Sequence, residues 1–93
     1  MASFWLSFCS DSDLPEGSQF LGACIVPGDD VLSAVQAAHM LGCNPGGEVV
    51  GHPVPPGMDQ YVEDRWRNRL MTRAECEQFD REMAIIYGKT QPN

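Results

Sequence analysis

The chain has 93 residues, 43% of them hydrophobic, and a formal net charge of −7 with a pI near 4.5. That length makes a single domain, residues 1–93, with a small core, and that apolar fraction excludes a disordered chain. The negative charge argues against broad binding to nucleic acid or to anionic membranes, because phosphate contacts need a positive surface.

Phe4-Trp5-Leu6-Ser7-Phe8-Cys9 is aromatic-rich and alternating, with Phe4, Leu6 and Phe8 on one side, which predicts a strand over about 3–9. A polar loop over 10–18 leads to a largely apolar stretch that predicts a second strand over 20–26. Gly22 within it marks a bulge or a close backbone approach. The short connection predicts antiparallel pairing of the two strands. Pro27-Gly28-Asp29-Asp30 opens a helix over 29–41, with Asp29 as its N-cap and Asp30 favourable at the positive end of the helix dipole. Val31, Ala34, Val35, Ala38 and Leu41 form its buried stripe, Gly42 is its left-handed stop, and Pro45 prevents resumption.

A third strand is predicted over 48–54, and Pro53 places it at an edge or ends it. Strand, helix and strand in that order predict a right-handed crossover between parallel strands. The 59–71 stretch is ambiguous. As a helix it aligns Val62, Trp66 and Leu70; as a strand it puts Arg65, Arg67 and Arg69 on one face; a helical or irregular segment is expected. Thr72-Arg73-Ala74-Glu75 is a capping box that starts a helix over 73–87, with Cys76, Phe79, Met83 and Ile86 buried and Met71 stapled onto Cys76. Tyr87-Gly88 ends it, and a flexible tail follows from about 89. The fold class is α+β: a small two-layer domain, with a three-stranded mixed sheet (3–9, 20–26, 48–54) packed by the helices at 29–41 and 73–87.

The apolar character of residues 3–26 is interrupted by Asp11, Asp13, Pro15 and Glu16, so neither a signal peptide nor a membrane span is predicted. A cytoplasmic protein is expected, with its cysteines reduced. Cys9, Cys24, Cys43 and Cys76 are widely spaced in apolar contexts and read as small core residues. His39 and Cys43 have an i, i+4 spacing that can hold a metal, but His52, Cys9 or Cys24 would have to complete the site, and zinc ligands usually come in tighter pairs. Neither a metal nor a cofactor is expected. Ser7, Cys9 and the two histidines sit in no nucleophile motif, so an enzyme is the third choice.

Charge is distributed unevenly. No Lys or Arg occurs before Arg65, and Arg65, Arg67, Arg69 and Arg73 then fall within nine positions. Guanidinium groups bind carboxylate or phosphate with a bidentate fork, and Trp66 beside them could stack on a ring. The bland reading is a solvated face paired with Glu63, Asp64, Glu75 and Glu77. Asn44-Pro45-Gly46-Gly47 can aim successive backbone N–H groups at an anion, or serve only as a turn after the first helix. Ser18, Gln19, Asn44 and Asn68 could bond a ligand or cap turns.

Trp5-Leu6-Ser7-Phe8-Cys9, Gly17-Ser18-Gln19-Phe20-Leu21-Gly22, Leu41-Gly42-Cys43-Asn44-Pro45-Gly46-Gly47-Glu48-Val49 and Asn68-Arg69-Leu70 together resemble a group of short uncharacterised bacterial and phage-borne proteins. The resemblance spans residues 5–87 and implies a prokaryotic or phage, cytoplasmic setting, with no activity to carry over. Two functions are expected. The first is a non-enzymatic binder of a small anionic, nucleotide-like molecule, a sponge or sensor. Arg65, Arg67 and Arg69 would supply charge, Trp66 or Trp5 a stacking face, and Asn44, Gly46 and Gly47 polar contacts. The second is an acidic protein–protein interaction module that docks on a basic protein, for example to inhibit a nucleic-acid-binding host protein. A homo-oligomer is compatible with either.

Overall fold

Alternation along the first strand decides the architecture. β1 (Ala2–Cys9) points Phe4, Leu6 and Phe8 to one side and Trp5 and Ser7 to the other, and both sides are covered. In the computed structural model, which describes residues 2–10 and 20–90 with side chains to 86, β1 is the central strand of the sheet. β2 (Phe20–Gly28) pairs with one edge of it and β3 (Glu48–Pro53) with the other, both antiparallel. The sheet is therefore antiparallel throughout, not mixed. β2 and β3 do run in the same direction, as the crossover predicts, but β1 lies between them and no parallel ladder forms.

Trp5 stands on the side of β1 away from Phe4, so the sheet has two apolar faces. On one, α1 (Val31–Met40) lays Ala34 and Ala38 over Phe4, Leu6, Phe8, Cys24 and Val26. On the other, α3 (Arg73–Thr90) brings Cys76, Phe79 and Met83 against Ala23, Ile25, Val62 and Trp66. The α+β class stands, but the two helices do not share one core. The sheet is the middle layer of a small sandwich, and each fully buried Leu, Ile or Phe in it is worth roughly 1.5–3 kcal/mol of transfer free energy.

α1 comes closer to the sheet than its valines would allow. Ala34 and Ala38 are the buried positions, Val35 is half-buried, and Val31 and Leu41 are exposed. The reason is Gly28, where an added Cβ would lie 2.8 Å from the Ala34 nitrogen. The N-cap is Asp30, not Asp29. The Ser33 N–H donates to Asp30 Oδ1 at 2.8 Å, and Ser33 Oγ accepts from the Asp30 N–H at 3.1 Å. At the other end Gly42 has φ +77, and the N–H groups of Gly42 and Cys43 bond back to His39 O and Ala38 O, a Schellman closure.

The 59–71 stretch is irregular, as its mixed periodicity implies. A single turn, α2 (Pro56–Asp59), and a 3₁₀ turn (Asp64–Trp66) precede a segment that covers the outer edge of β2. There the Asn68 N–H donates to Ile25 O at 2.8 Å, and Ala23 and Met71 exchange two hydrogen bonds at 3.1 and 2.7 Å. Gly22 is required here: its φ is +138, and a Cβ would meet the Leu70 side chain and the Met71 carbonyl at 2.8 Å.

α3 begins as the capping box predicts. The Glu75 N–H donates to Thr72 Oγ1 at 3.2 Å, and the Thr72 N–H donates to Glu75 Oε1 at 3.0 Å. Thr72→Ala is expected to cost about 1 kcal/mol, a fall of roughly 4–8 °C in Tm for a domain this size, read by circular dichroism melting. The helix continues to Thr90, past the predicted stop at Tyr87-Gly88, because one glycine costs a helix only about 1 kcal/mol. The expected tail begins inside this helix, and its last three residues lie outside those described. Among the described residues no helix is long and apolar enough to cross a membrane.

Candidate functional site

The arginines are held by their own chain. Because the 67–71 segment lies along the β2 edge, Arg67 is drawn inward, and its side chain is 23% exposed. Its Nη1 donates to Ser3 Oγ at 3.0 Å, and its Nη2 donates to the carbonyls of Asp59 at 2.7 Å and Val62 at 3.2 Å. Nη1 also lies 2.9 Å from Asp59 Oδ1, a buried oxygen that receives no aligned hydrogen bond and relies on this charge contact. Asp64 approaches Arg67 only to 4.0 Å and is fully exposed.

Arg65 and Arg69 lie outside, over Trp66. Their guanidinium carbons are 4.4 and 5.9 Å from its ring centroid. Arg65 pairs with Glu63 and Glu82; Arg69 pairs with Glu75 and donates from Nε to Arg65 O at 2.7 Å. The hydrogen bonds from Arg69 and from the Thr72 backbone hold the Glu75 carboxyl below the usual carboxylate range. Gln78 and then Arg65 do the same for Glu82. Trp66 itself is 3% exposed, with its ring edge-on to Phe79 at 5.7 Å and Arg65 over it, so it offers no open face for a ligand. Arg73 lies 5.4 Å from the Phe20 ring centroid.

The remaining sequence candidates do not join them. Asn44 accepts from the Gly46 N–H through Oδ1 at 2.8 Å, which is a turn, and Gly47 lies against the Cys9 carbonyl where no Cβ fits. That loop meets β1 at Cys9, whereas Arg67 bonds Ser3; the six-residue separation along a strand is about 20 Å. Asn68 takes φ +61 to turn the chain along the β2 edge. Ser18 and Gln19 lie outside the described residues.

Trp5 belongs to a different place. It helps form a cleft of about 280 Å³ with His52, Val54, Pro55, Met58, Phe79 and Asp80. The indole stacks on Phe79 at 5.5 Å, and its Nε1 donates to Ser7 Oγ at 2.9 Å, which fixes the ring. The Asp80 carboxylate at the rim has no ion-pair partner among the described residues. Of these residues the sequence singled out only Trp5 for binding. The others come from β3, the turn after it, α2 and α3, which no local sequence signal brings together.

The cysteines are free thiols, with Cys24, Cys43 and Cys76 buried. Burial, with Cys43 alongside, pushes Cys24 up to about 12, and burial raises Cys76 as well, so neither supplies a thiolate. His39 is exposed while Cys43 is buried, so this i, i+4 pair does not converge. Among the described residues no three His, Cys, Asp or Glu side chains gather as a metal site. Comparison with known protein families, with curated proteins and with solved structures gives no match to this chain.

Proposed function

We propose that the protein is a non-enzymatic interaction module that docks a basic segment of a partner protein, with the Trp5–Phe79–Asp80 cleft as the anchor point. The observation that carries this reading is the imbalance of charge partners. Arg65, Arg67 and Arg69 are each engaged with the chain's own acceptors, while Asp29, Glu48, Glu77 and Asp80 have no cationic partner among the described residues. A surface left negative in this way attracts a positive one. The cleft suits one long basic side chain: the apolar walls cover its stem, Trp5 offers a ring face and Asp80 a counter-charge. The motif resemblance would imply a prokaryotic or phage, cytoplasmic setting, in which a basic nucleic-acid-binding protein is a fitting target.

A small anionic or nucleotide-like ligand has less support. The arginines that would hold it are already bonded, Trp66 is buried, and the cleft presents a carboxylate. The test is a titration of Trp5 fluorescence with an arginine-rich peptide, in a Trp66→Phe background so that Trp5 reports alone. Asp80→Lys should weaken binding roughly ten- to hundredfold, in line with a charge reversal at an interface worth a few kcal/mol. Binding should also fall as salt rises. Equal affinity of the Asp80→Lys protein would overturn the cleft assignment. Thermal stabilisation by nucleotides, with none by the peptide, would restore the anion reading.

A further inference from the structure

The two edges of the sheet are treated differently. The outer edge of β2 is covered by the 67–71 segment. Among the described residues nothing pairs with the outer edge of β3. Bare edges are usually blunted with charged side chains, proline or a bulge, because they template pairing with another strand; here the acid, Glu48, and the proline, Pro53, sit only at the two ends of β3. β3 (Glu-Val-Val-Gly-His-Pro) carries no lysine, its pairing to β1 has no break in register, and Val50 at its middle is 67% exposed.

We infer that β3 pairs with β3 of a second copy of this chain, antiparallel about a two-fold axis at Val50, joining two sheets into one of six strands. The direction of the backbone groups fixes this register. The Val54 N–H donates to Ser3 O, so by alternation Glu48, Val50 and His52 direct their backbone groups toward β1. Val49, Gly51 and Pro53 direct theirs outward. With Val50 opposite Val50 of the partner subunit, Val49 faces Gly51 of the partner subunit and Gly51 faces Val49 of the partner subunit. All the outward N–H and C=O groups of these two residues are then satisfied. Pro53 falls at the margin, where its missing N–H costs no bond. Shifting the axis to Gly51 would instead oppose Val49 to Pro53 and lose a donor at each end.

Side chains agree with the backbone. The same register sets Glu48 across from His52 of the partner subunit at both ends, so each end matches an acid to an imidazole. At the axis two exposed valines meet on one face, an apolar cross-strand pair. A strand of foreign sequence would offer the same backbone bonds but not this pairing of Glu48, Val50 and His52 with themselves. The inference rests on the backbone of β3 and not on peptide binding, although the two sites meet at His52, which lies on β3 and lines the docking cleft.

Light scattering on purified protein tests it, at a concentration on the order of 50 µM since dimer population follows mass action. Salt near 0.15 M screens the repulsion of two acidic chains beyond about 8 Å. The expected mass is twice the 10.2 kDa of one chain. Val50→Lys sets two ammonium groups against each other at the axis and should give the mass of one chain, with unchanged far-ultraviolet circular dichroism. Val50→Cys tests the register independently of that variant. Cα atoms at such a pair lie about 4.5 Å apart, within disulfide range, so mild oxidation should link position 50 to position 50, as read by peptide mapping. A wild-type mass of one chain across the concentration range would overturn the inference. So would a Val50→Lys protein that stays dimeric, or a Val50→Cys protein that forms no 50–50 link.

Discussion

Arg67→Ala is expected to destabilise the fold by roughly 2–4 kcal/mol, whereas Arg65→Ala, two residues away, should cost far less. The two arginines differ in what their removal strands. Arg65 is about half exposed and pairs with carboxylates that water can solvate once it is gone. Arg67 donates to Ser3 Oγ, Asp59 O and Val62 O, and it is the cation beside the buried Asp59 Oδ1. Truncation leaves that oxygen charged and without a partner. It also unties α2 and the 3₁₀ turn from the start of β1. For a domain of this length, total stability is about 5–14 kcal/mol, so the loss is a large fraction of it. Tm should fall by roughly 10–25 °C. Arg67→Lys should recover little, because one ammonium cannot reach acceptors spread around a planar fork. Urea unfolding of the three variants decides the point. Equal midpoints for Arg67→Ala and Arg65→Ala would return Arg67 to the surface.

That contrast also shows what the sequence could and could not carry. The strands and helices were legible because their signals are local: alternation in β1, the Thr72–Glu75 box, Gly42 followed by Pro45. Pro53 correctly placed β3 at an edge, and Gly22 correctly marked a close approach. The layer arrangement was less legible. Phe4, Leu6 and Phe8 read as the buried side of β1, and nothing local says that Trp5, on the other side, meets Phe79. Local charge density says least about how the arginines are used. A run of arginines within nine positions reports composition, but their partners are set by tertiary contacts. Ser3 lies 64 positions from Arg67, and Glu82 lies 17 from Arg65. The N-cap was misplaced by one residue because two aspartates are adjacent; Ser33, three positions after Asp30, was the discriminating signal.

Trp66→Ala should be the most damaging single change, at roughly 3–5 kcal/mol, enough to lower Tm by roughly 15–30 °C. Three contributions add. The indole is almost wholly buried within the cluster of Val62, Ile25, Met71 and Phe79, so its removal opens a cavity between α3 and the sheet. Its edge-on contact with Phe79 is lost, and Phe79 in turn holds Trp5 in the cleft. Arg65 and Arg69 lose the ring beneath them, and exposed contacts of that kind are worth about 0.5–1 kcal/mol each. Trp66→Phe should keep much of the packing and a cooperative melt, which separates lost volume from a general intolerance of the site. Trp5 is only half-buried, and Trp5→Ala should cost less in stability while weakening peptide binding in the cleft. Fluorescence gives a second readout, because the chain has two tryptophans. In Trp5→Phe protein, Trp66 alone should emit at short wavelength and resist quenching by acrylamide. A Trp66→Ala protein that melts within a few degrees of wild type, or a readily quenched Trp66, would place this ring at the surface. The arginines over it would then form an open aromatic and cationic face, the arrangement that an anionic ligand needs.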